Sequence, residues 1–559
     1  MDIQLCTVGP RQDSKPKVRT APLWVQRIFV GSAAPVTESG QAAPRTVLRM
    51  QIRDHATSDG AKPAVILHPT GMTVTFAELE ARANRLAHLF RKSGLREGDT
   101  VAAILENNEH VHAVMWAARR CGLYYTLINT HLTAPEVAYI VENCGAKAII
   151  GSQAMRGVCE GMPAAILPDL LMIADDDLEG WQRYPECVSD QPDTPIGDEF
   201  EGDLLQYSSG TTGRPKGIRR PLPHVTPAEA PNFLSVLLGM IGVDKGSVYM
   251  SPAPLYHTAP CLWSMSALAM GATVVVLERF DPADALDCIE RHRVSHGQFV
   301  PVMFVRMLKL PEAVRNSYDV SSLQRVIHAA APCPVQIKQQ MIDWWGPVVD
   351  EYYSSSEGAG ITFISAEDWM KHPGSVGKSL LGAAHILDDN GHDVPAGQTG
   401  QVFFDVGGAR FEYHKDPEKT AASRDQHGWV TVGDVGYLDE EGYLFLTDRR
   451  HHMIISGGVN IYPQEAENLL VTHPKVLDAA VFGIPDEEMG QSVKGVVQTV
   501  DPADATPEFA AELVAWLRDR LAHYKCPRTI SCEAQLPRTD TGKLYKQELI
   551  AKYSADGPK

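Results

Sequence analysis

A loop rich in glycine and hydroxyl side chains follows a short apolar run in the stretch LLQYSSGTTGRPKGIRR. Glycine permits tight turns that bring backbone N–H groups close to a ligand, hydroxyl groups donate hydrogen bonds, and a lysine adds a positive point charge. The residues of these types are Ser208, Ser209, Gly210, Thr211, Thr212, Gly213 and Lys216. Together they suit a polyphosphate, although a solvated flexible loop has a similar composition.

This loop differs from a Walker A phosphate loop. Lys216 is followed by Gly217 instead of serine or threonine. The next residues, IRRPLPH, are interrupted by proline and predict an extended segment instead of a helix. The loop alone therefore identifies neither a nucleotide nor a reaction.

Further motifs follow it in the order YYSSSEG, GWVTVGDVGYLDEEGYLFLTDR, MIISGGVNIYPQEAE and PRTDTGKLYKQEL. With YSSGTTGRPKG, they resemble in order and separation the adenylate-forming (ANL) superfamily, and within it the acyl-CoA synthetases, or AMP-dependent acid–CoA ligases. The resemblance extends from about Val47 to Ile550. It implies ATP and coenzyme A as co-substrates, Mg²⁺ as a cofactor, and an acyl-AMP intermediate whose formation releases pyrophosphate.

The resemblance assigns roles to residues around the phosphates. Thr211, Thr212 and Lys216 would contact the β and γ phosphates, and Glu357 would hold Mg²⁺, for which a carboxylate is a suitable hard ligand. Ser356 stands where a threonine is usual and keeps a hydroxyl for the α-phosphate, which makes it a catalytic candidate.

The nucleoside has its own predicted residues. Tyr353 would flank the adenine on one side, and the stretch Ala330, Ala331 and Pro332 would flank it on the other. Asp434 would accept hydrogen bonds from the ribose hydroxyls, and Arg449 would also reach the ribose. Taken singly, each of the last two is more typical of a turn aspartate or a surface arginine.

The resemblance also predicts a moving C-terminal part. Lys543 is the candidate catalytic lysine of the first half-reaction, since a lysine on a mobile lid carries its charge on a flexible stem. His451 occupies the hinge position, where aspartate or lysine is commoner. Rotation there would replace Lys543 by Gly457 and Gly458, which would open a path for the pantetheine arm of coenzyme A.

Several features bear on the acid. His257 matches a residue that borders the acyl carboxylate, although a packed core histidine is an equal alternative. No aspartate accompanies it in YHTAPCLWSM, which disfavours an amino acid substrate. A hydrophobic carboxylic acid is expected, in a pocket with apolar residues drawn from Trp263, Met265, Phe299, Val300, Met303 and Phe304. Ser354, in place of a glycine, and Val459 depart from the family pattern and leave the choice among fatty, aryl and alicyclic acids open.

Two other functions remain as alternatives. An acyl- or aryl-AMP ligase would pass the acyl group to a carrier protein, and because no carrier domain follows Lys559 we expect free coenzyme A. A non-enzymatic nucleotide sensor on the same fold is disfavoured by the presence of both Glu357 and Lys543.

The elements that must position these residues alternate between helix and strand. Thr75 with Glu78 predicts a capped amphipathic helix, which is followed by the apolar run VAAIL and further helical and apolar segments. We therefore predict an α/β fold with a large N-terminal domain of βαβ-type sheets and packed helices over 46–449. A poorly ordered extension would occupy 1–45, and a small mobile α+β domain with short strands and one helix would occupy 450–559.

Composition limits the remaining function classes. The chain has 559 residues, 44% of them hydrophobic, and a net charge of −18, as expected for a folded globular protein that does not bind nucleic acid. Ten scattered cysteines without a CxxC pair favour a reduced, cytoplasmic protein. The uncharged run from Ala259 predicts a helix, a turn and a buried strand instead of a membrane span. The oligomeric state is left open.

Overall fold

The computed structural model describes residues 51–208, 215–230, 232–408, 411–449, 452–538 and 544–555. The predicted extension 1–45 lies outside these ranges. Within them, the chain forms a large sheet-based N-terminal part and a smaller C-terminal part, which confirms the predicted α/β fold class.

One sheet of the large part is wholly parallel, and VAAIL supplies one of its strands. The strand Thr100–Ile104 is buried at every position, as expected when helices cover both faces of a sheet. The strands of this six-stranded sheet, in spatial order, are Gln182–Tyr184, Leu170–Ala174, Ala146–Ser152, Thr100–Ile104, Tyr124–Leu127 and Asp203–Leu204.

A second, 13-stranded sheet combines a parallel block with an antiparallel extension. Its order is Ala383–Leu387, Gly400–Asp405, Asp434–Leu438, Leu444–Arg449, Ser375–Leu381, Ile361–Ile364, Val349–Ser354, Arg325–His328, His296–Phe299, Val248–Ser251, Thr273–Leu277, Pro63–His68 and Thr73–Thr75. The motifs YYSSSEG and TVGDVG therefore lie on one sheet, at strand ends where side chains can converge.

A third, antiparallel sheet of three strands joins distant segments. Its central strand is Lys216–Arg219, between Gln206–Ser208 and Glu412–Tyr413. The extended segment predicted after the glycine-rich loop is confirmed in part, since Ile218 and Arg219 belong to this strand and residues 220–224 form neither helix nor strand.

Helices cover the sheets. The predicted cap is present, because Thr75 accepts from the Glu78 backbone and the Glu78 side chain accepts from Thr75. The helices of the large part are Ile52–Asp59, Phe76–Lys92, Val111–Arg120, Ala134–Cys144, Arg156–Glu160, Phe233–Met240, Thr258–Ala269, Pro282–His292, Pro301–Leu308, Glu312–Arg315, Val335–Trp345, Ala366–Trp369 and Pro417–Ala422.

The uncharged run from Ala259 has the predicted structure. It forms most of the helix Thr258–Ala269, turns at Gly271 with φ of +80°, and continues as the buried strand Thr273–Leu277. Across the described ranges, no helix combines the length and the apolar character needed to cross a membrane.

The C-terminal part is α+β, with two differences from the prediction. Its main strands are long, because Val476–Asp486 and Gly490–Thr499 pair as an extended hairpin, next to which Thr529–Cys532 runs parallel. A second hairpin pairs Ile454–Ser456 with Val459–Ile461. The helix Pro507–Arg518 was predicted, whereas two others flank the hairpin sheet, Gln464–Leu470 and Lys546–Ala555. Their apolar positions are few, which explains why the sequence pattern did not reveal them.

Candidate active site

The three-stranded sheet positions the base of the glycine-rich loop. Ser208 and Lys216 are direct cross-strand partners, and Gly217 faces Tyr207. A Cβ atom at Gly217 would lie 3.0 Å from the Cβ of His414, so the close approach of the two strands favours glycine there. Residues 209–214 lie outside the described ranges, and the roles of Ser209, Gly210, Thr211, Thr212 and Gly213 stay predictions.

Glu357, the predicted Mg²⁺ ligand, is oriented by a tyrosine from the same small sheet. The buried Tyr413 donates its hydroxyl to Glu357 Oε1 at 2.9 Å. Burial and the adjacent carboxylate raise the pKa of Tyr413, which keeps it a donor. One carboxylate oxygen is thus held by Tyr413, and among the described residues no hydrogen bond is found to the other, which as a hard oxygen donor suits an ion such as Mg²⁺.

A lysine side chain lies near Glu357. Lys419, in the helix Pro417–Ala422, lies with its Nζ 4.1 Å from the centre of the Tyr413 ring. Burial, followed by the direct interaction with Lys216, lowers the pKa of Lys419 to about 8. Lys419 and Glu357 therefore both line the cavity, and the base of the glycine-rich loop lies on the neighbouring strand.

Ser356 lies beside the start of the helix Thr258–Ala269. Its Oγ is 2.8 Å from the Thr258 Oγ1, and either hydroxyl can be the donor. The pair presents two hydroxyl groups at the wall of one cavity, next to Glu357. Such groups can donate to a phosphoryl oxygen without a charge of their own.

Asp434 is the centre of the predicted ribose site. Tyr353 donates its hydroxyl to Asp434 Oδ2, and the Arg449 Nε lies 3.2 Å from Asp434 Oδ1. Burial and then the charge of Asp434 raise the pKa of Tyr353, so this phenol stays protonated. The carboxylate is fixed from both sides and retains lone pairs for ligand hydroxyls.

The predicted adenine-flanking residues meet at the same cavity, which has a volume of about 2120 Å³. Its wall includes Tyr353 on one strand end and Ala330, Ala331 and Pro332 on the loop after the neighbouring strand. Ala330 has a φ of +75°, an uncommon conformation for a residue with a Cβ atom. Uncommon backbone conformations of this kind are concentrated at functional sites.

His257 also lines this cavity, at the N-cap of the helix Thr258–Ala269. Its ring centre is 4.5 Å from that of Tyr256. It is half-buried instead of enclosed in the core, which favours the prediction that it borders the substrate over the alternative of a packed core histidine.

Only some of the residues predicted for the apolar pocket lie at the cavity. Trp263 and Val300 line the cavity, whereas Phe299, Met303 and Phe304 are buried in a separate core cluster, and Met265 is buried beside Tyr125. Other apolar residues on the cavity wall are Phe233, Leu234, Leu237, Leu262, Val302 and Val305. The helix Pro301–Leu308 turns Met303 and Phe304 toward the core, and Phe299 ends a buried strand, so these three side chains are not part of the cavity lining.

The buried end of this apolar wall contains polar groups. Trp263 packs against Tyr352, with ring centres 5.2 Å apart, and Gln298 Nε2 donates to the Tyr352 hydroxyl at 3.2 Å. Because these contacts hold both rings in place, they limit the room available to an acyl group.

The C-terminal part contributes described residues to the wall of the same cavity. Residues 539–543 and 450–451 are outside the described ranges, so Lys543 and the hinge residue His451 stay predictions. On either side of the first gap, Arg538 and Leu544 line the cavity. Gly457 and Gly458 form an exposed turn with φ of +57° and +78° and are not part of this lining.

The sequence analysis missed the residues that support the predicted ones. Thr258 contacts Ser356, and Tyr413 donates to Glu357. Lys419 follows Tyr413, whose strand pairs with the strand that begins at Lys216. Each of these relationships joins segments that are far apart in the sequence. The one available signal was the position of Thr258 directly after His257.

Comparisons with known proteins agree with this geometry. The AMP-binding enzyme family model matches residues 52–408, and the AMP-binding enzyme C-terminal domain model matches 465–543. The long-chain-fatty-acid–CoA ligase FadD13 of Mycobacterium tuberculosis is 30% identical over 91% of this chain and 99% of its own. The fatty acid–[acyl-carrier-protein] ligase ScoC of Streptomyces coeruleorubidus is 29% identical over 90% of this chain and 95% of its own.

A solved structure shares the fold over most of its length. The o-succinylbenzoate CoA synthetase MenE of Bacillus subtilis, in complex with its acyl-adenylate intermediate, matches with a TM-score of 0.72 and 27% identity, over 89% of this chain and 97% of that one. On the matches of both family models and the convergence of their motifs at one cavity, the chain belongs to the AMP-binding enzymes of the adenylate-forming (ANL) superfamily.

Proposed function

We propose that this protein activates a hydrophobic carboxylic acid with ATP, through an acyl-AMP intermediate, and transfers the acyl group to coenzyme A. The observation that carries the proposal is the convergence of three groups of residues on one cavity. Asp434, with Tyr353 and Arg449, offers a nucleoside site, Glu357 and Ser356 offer a phosphate site, and Trp263 belongs to an apolar wall beyond them.

The first half-reaction needs positioning and positive charge more than covalent chemistry by the protein. An acid carboxylate attacks the α-phosphate, the bond to the β-phosphate breaks, and pyrophosphate leaves with the electron pair. Ser356 and Thr258 can donate to phosphoryl oxygens, and Lys216 can balance the charge on the leaving group. Lys543 is proposed to bridge the carboxylate and phosphate oxygens from the C-terminal part.

The donor set near the phosphates fits a magnesium ion. Glu357 would hold it, with the carboxylate oriented by Tyr413. When bound, Mg²⁺ would neutralise part of the charge on the β and γ phosphates. The protein's own contribution is to fix the carboxylate, because Tyr413 is itself held in the three-stranded sheet.

The second half-reaction is proposed to follow a rotation of the C-terminal part. The thiol of coenzyme A attacks the acyl carbonyl carbon, AMP leaves with the electron pair of the acyl–phosphate bond, and a thioester forms. The turn at Gly457 and Gly458 is exposed and outside the cavity lining, as the proposal requires for the arrangement that precedes rotation. His451 would be the hinge.

The acid is inferred from the wall of the cavity. Apolar side chains such as Phe233, Leu237 and Val300 favour a hydrophobic acid, and Trp263 with Tyr352 limits its length or width. FadD13 is named for a long-chain fatty acid and MenE for an aromatic one, so the relatives support the class but not a single member.

The proposal is tested by exchange of labelled pyrophosphate into ATP with a panel of fatty, aryl and alicyclic acids. We expect exchange only when a hydrophobic acid and Mg²⁺ are both present, with little exchange for amino acids. If none of the acids supports exchange while ATP binding is intact, the enzymatic proposal is wrong.

The acceptor is tested separately, since ScoC is named for a carrier protein. Purified acyl-AMP of the best acid is supplied with either coenzyme A or a phosphopantetheinylated carrier protein. We expect thioester formation at least about tenfold faster with coenzyme A, a difference of about 1.4 kcal/mol in activation free energy. Faster transfer to the carrier would establish the alternative instead.

A further inference from the structure

We propose that Lys419 is a second phosphate-binding lysine in addition to Lys216. It would bind the β and γ phosphates of ATP, and then pyrophosphate. This inference rests on the proposed function for its biological meaning, since that function supplies the polyphosphate. Lys419 lies outside the five sequence motifs that resemble the family.

The backbone brings Lys419 to this place through two sheet contacts. Glu412–Tyr413 pairs with the strand that begins at Lys216, and the backbone N–H of His414 donates to the Gly217 carbonyl at 2.8 Å. The chain then enters the helix Pro417–Ala422. The start of this helix is therefore fixed next to the base of the glycine-rich loop.

Side-chain bonds hold the helix in that position. Asp416 caps it by accepting from the Lys419 backbone N–H at 3.0 Å, and Thr420 Oγ1 accepts from the Tyr413 backbone N–H at 2.9 Å. The half-buried side chain of Lys419 thus projects from a helix that is held in place, and the fold sets the direction of this side chain.

The ammonium group of Lys419 reaches the phosphate end of the cavity. Its Nζ lies over the Tyr413 ring at 4.1 Å, and the hydroxyl of that ring is bonded to Glu357. Lys419 and Glu357 both line the cavity, and the charge of Glu357 acts on Lys419. The lysine therefore stands on the side where a metal-bound polyphosphate would lie.

Lys216 begins the strand that pairs with Glu412–Tyr413, so the fold places a second lysine beside the segment that carries Lys419. The charge of Lys216 disfavours the charged form of Lys419, whereas the carboxylates of Glu357 and Asp416 favour it. These two carboxylates offset part of the repulsion between the lysines, and the several negative charges of a polyphosphate would offset more of it.

Pyrophosphate matches this arrangement better than AMP does. It carries charge on both phosphates and presents several oxygens to separate donors, whereas the AMP phosphate is expected nearer to Ser356. A lysine ammonium contributes three donors on a flexible stem and can follow the leaving group as it separates. Lys419 would therefore act on the release and rebinding of pyrophosphate, and not on thioester formation.

The direct test is isothermal titration of the full-length protein with magnesium pyrophosphate, and separately with AMP. Lys419→Gln should weaken pyrophosphate binding by about 10- to 100-fold, as for the loss of a hydrogen bond to a charged group, and leave AMP affinity within about twofold. Lys419→Arg should recover part of the affinity. AMP binding also shows that the site has folded.

Lys415→Gln is the matched control. It removes one lysine from the same segment, but its Nζ donates to the Asn143 carbonyl at 2.6 Å on the exposed side. This variant should bind pyrophosphate like the unaltered protein. Equal affinities of Lys419→Gln and the unaltered protein for pyrophosphate, or an equal loss of AMP and pyrophosphate binding, would overturn the inference.

Kinetics separate this inference from the proposed function. In pyrophosphate exchange with an active acid, Lys419→Gln should raise the KM for pyrophosphate, while conversion of supplied acyl-AMP and coenzyme A should proceed at the unaltered rate. Failure of every acid to support exchange in the unaltered protein would count against the proposed function, whereas the titration would still decide the role of Lys419.

Discussion

Asp434 and Arg449 are direct cross-strand partners, and their side chains form an ion pair at 3.2 Å. The strand that carries Tyr353 ends nearby in the same sheet, and its hydroxyl donates to the same carboxylate. Asp434 is buried, so an ionised carboxylate there needs these partners. The sheet thus prepares a negative acceptor for a ligand's hydroxyl groups before the ligand arrives.

Replacement of Asp434 by asparagine tests this nucleoside site. The asparagine side chain is nearly isosteric, but it has one acceptor oxygen and no charge, so we expect Asp434→Asn to weaken AMP binding by about 10- to 100-fold. Calorimetric titration with AMP measures it. Tyr353→Phe is the control, since it keeps the ring and removes one donor to the carboxylate, and its effect should be several-fold smaller. AMP affinity unchanged in Asp434→Asn would contradict the assignment.

Glu357→Gln tests the magnesium site. A neutral amide is a weaker ligand for a hard cation, so the Mg²⁺ concentration for half-maximal pyrophosphate exchange should rise at least about tenfold. Tyr413→Phe leaves the carboxylate but removes the hydroxyl that orients it at 2.9 Å, and a smaller increase is expected, as for other outer-shell partners. Equal Mg²⁺ dependence of Glu357→Gln and the unaltered enzyme would exclude Glu357 as the ligand.

Lys543→Ala tests the division of labour between the two half-reactions. We expect it to lose adenylation by about 100-fold or more, because a charge that stabilises the transition state is removed, and to keep conversion of acyl-AMP and coenzyme A to thioester. Lys552→Ala, at an exposed lysine of the last helix, is the control and should retain both. Equal loss of both steps in Lys543→Ala would contradict the alternating arrangement.

His451→Pro tests the hinge from the opposite direction. Proline restricts the φ rotation that a hinge residue must absorb. Thioester formation from supplied acyl-AMP should therefore fall more than adenylation does. The two rates are compared by coenzyme A depletion and by pyrophosphate exchange, and a larger fall in exchange would disagree with the hinge assignment.

The recognisable motifs predicted the fold class and several polar residues that line the cavity, because their functions demand particular residue types at fixed places. Asp434, Arg449 and Tyr353 were assigned from such patterns, and the structure brings them together. The apolar pocket was harder, since Phe299 and Phe304 have the same residue type whether the fold turns them toward the core or toward the substrate.

Non-local pairing explains what the sequence could not reveal. Lys419 and Tyr413 reach Glu357 and Lys216 because a two-residue strand joins the three-stranded sheet, and Glu412–Tyr413 carries no strand signal by itself. Residue types at the site were therefore predictable, whereas the residues that orient them depended on which distant strands pair.

Trp263→Leu tests the limit of the acyl pocket. Trp263 packs against Tyr352 at the buried end of the apolar wall, and a smaller side chain would open space there. We expect kcat/KM to shift by about tenfold toward bulkier acids, as for differences of one or two methylene groups in apolar pockets. The measurement is a competition between two acids of unequal size. Met265→Leu, in the buried core beside Tyr125, should leave the ratio unchanged, and an unchanged ratio in Trp263→Leu would place the acyl group elsewhere.

Stability should fall in acid because of buried neutral histidines. Full burial lowers the pKa of His112 to about 3, and burial lowers the pKa of His296 to about 4, while unfolded histidine titrates near about 6.5. Below about pH 6.5 the unfolded chain binds protons that the folded chain does not, so the free energy of unfolding decreases as the pH falls toward these folded-state values.

His112→Gln isolates one of these contributions. The His112 Nε2 lies 3.1 Å from Ser264 Oγ, which itself donates to the Cys261 carbonyl, so the neutral ring acts as the donor and needs no second proton. The variant should lose some stability at pH 7, but the slope of unfolding free energy between pH 6 and pH 5 should flatten by up to about 1.4 kcal/mol per pH unit. Urea unfolding at both pH values measures the slope. His523→Gln, at an exposed position, should leave it unchanged, and an unaltered slope in His112→Gln would show that this imidazole does not stay neutral in the fold.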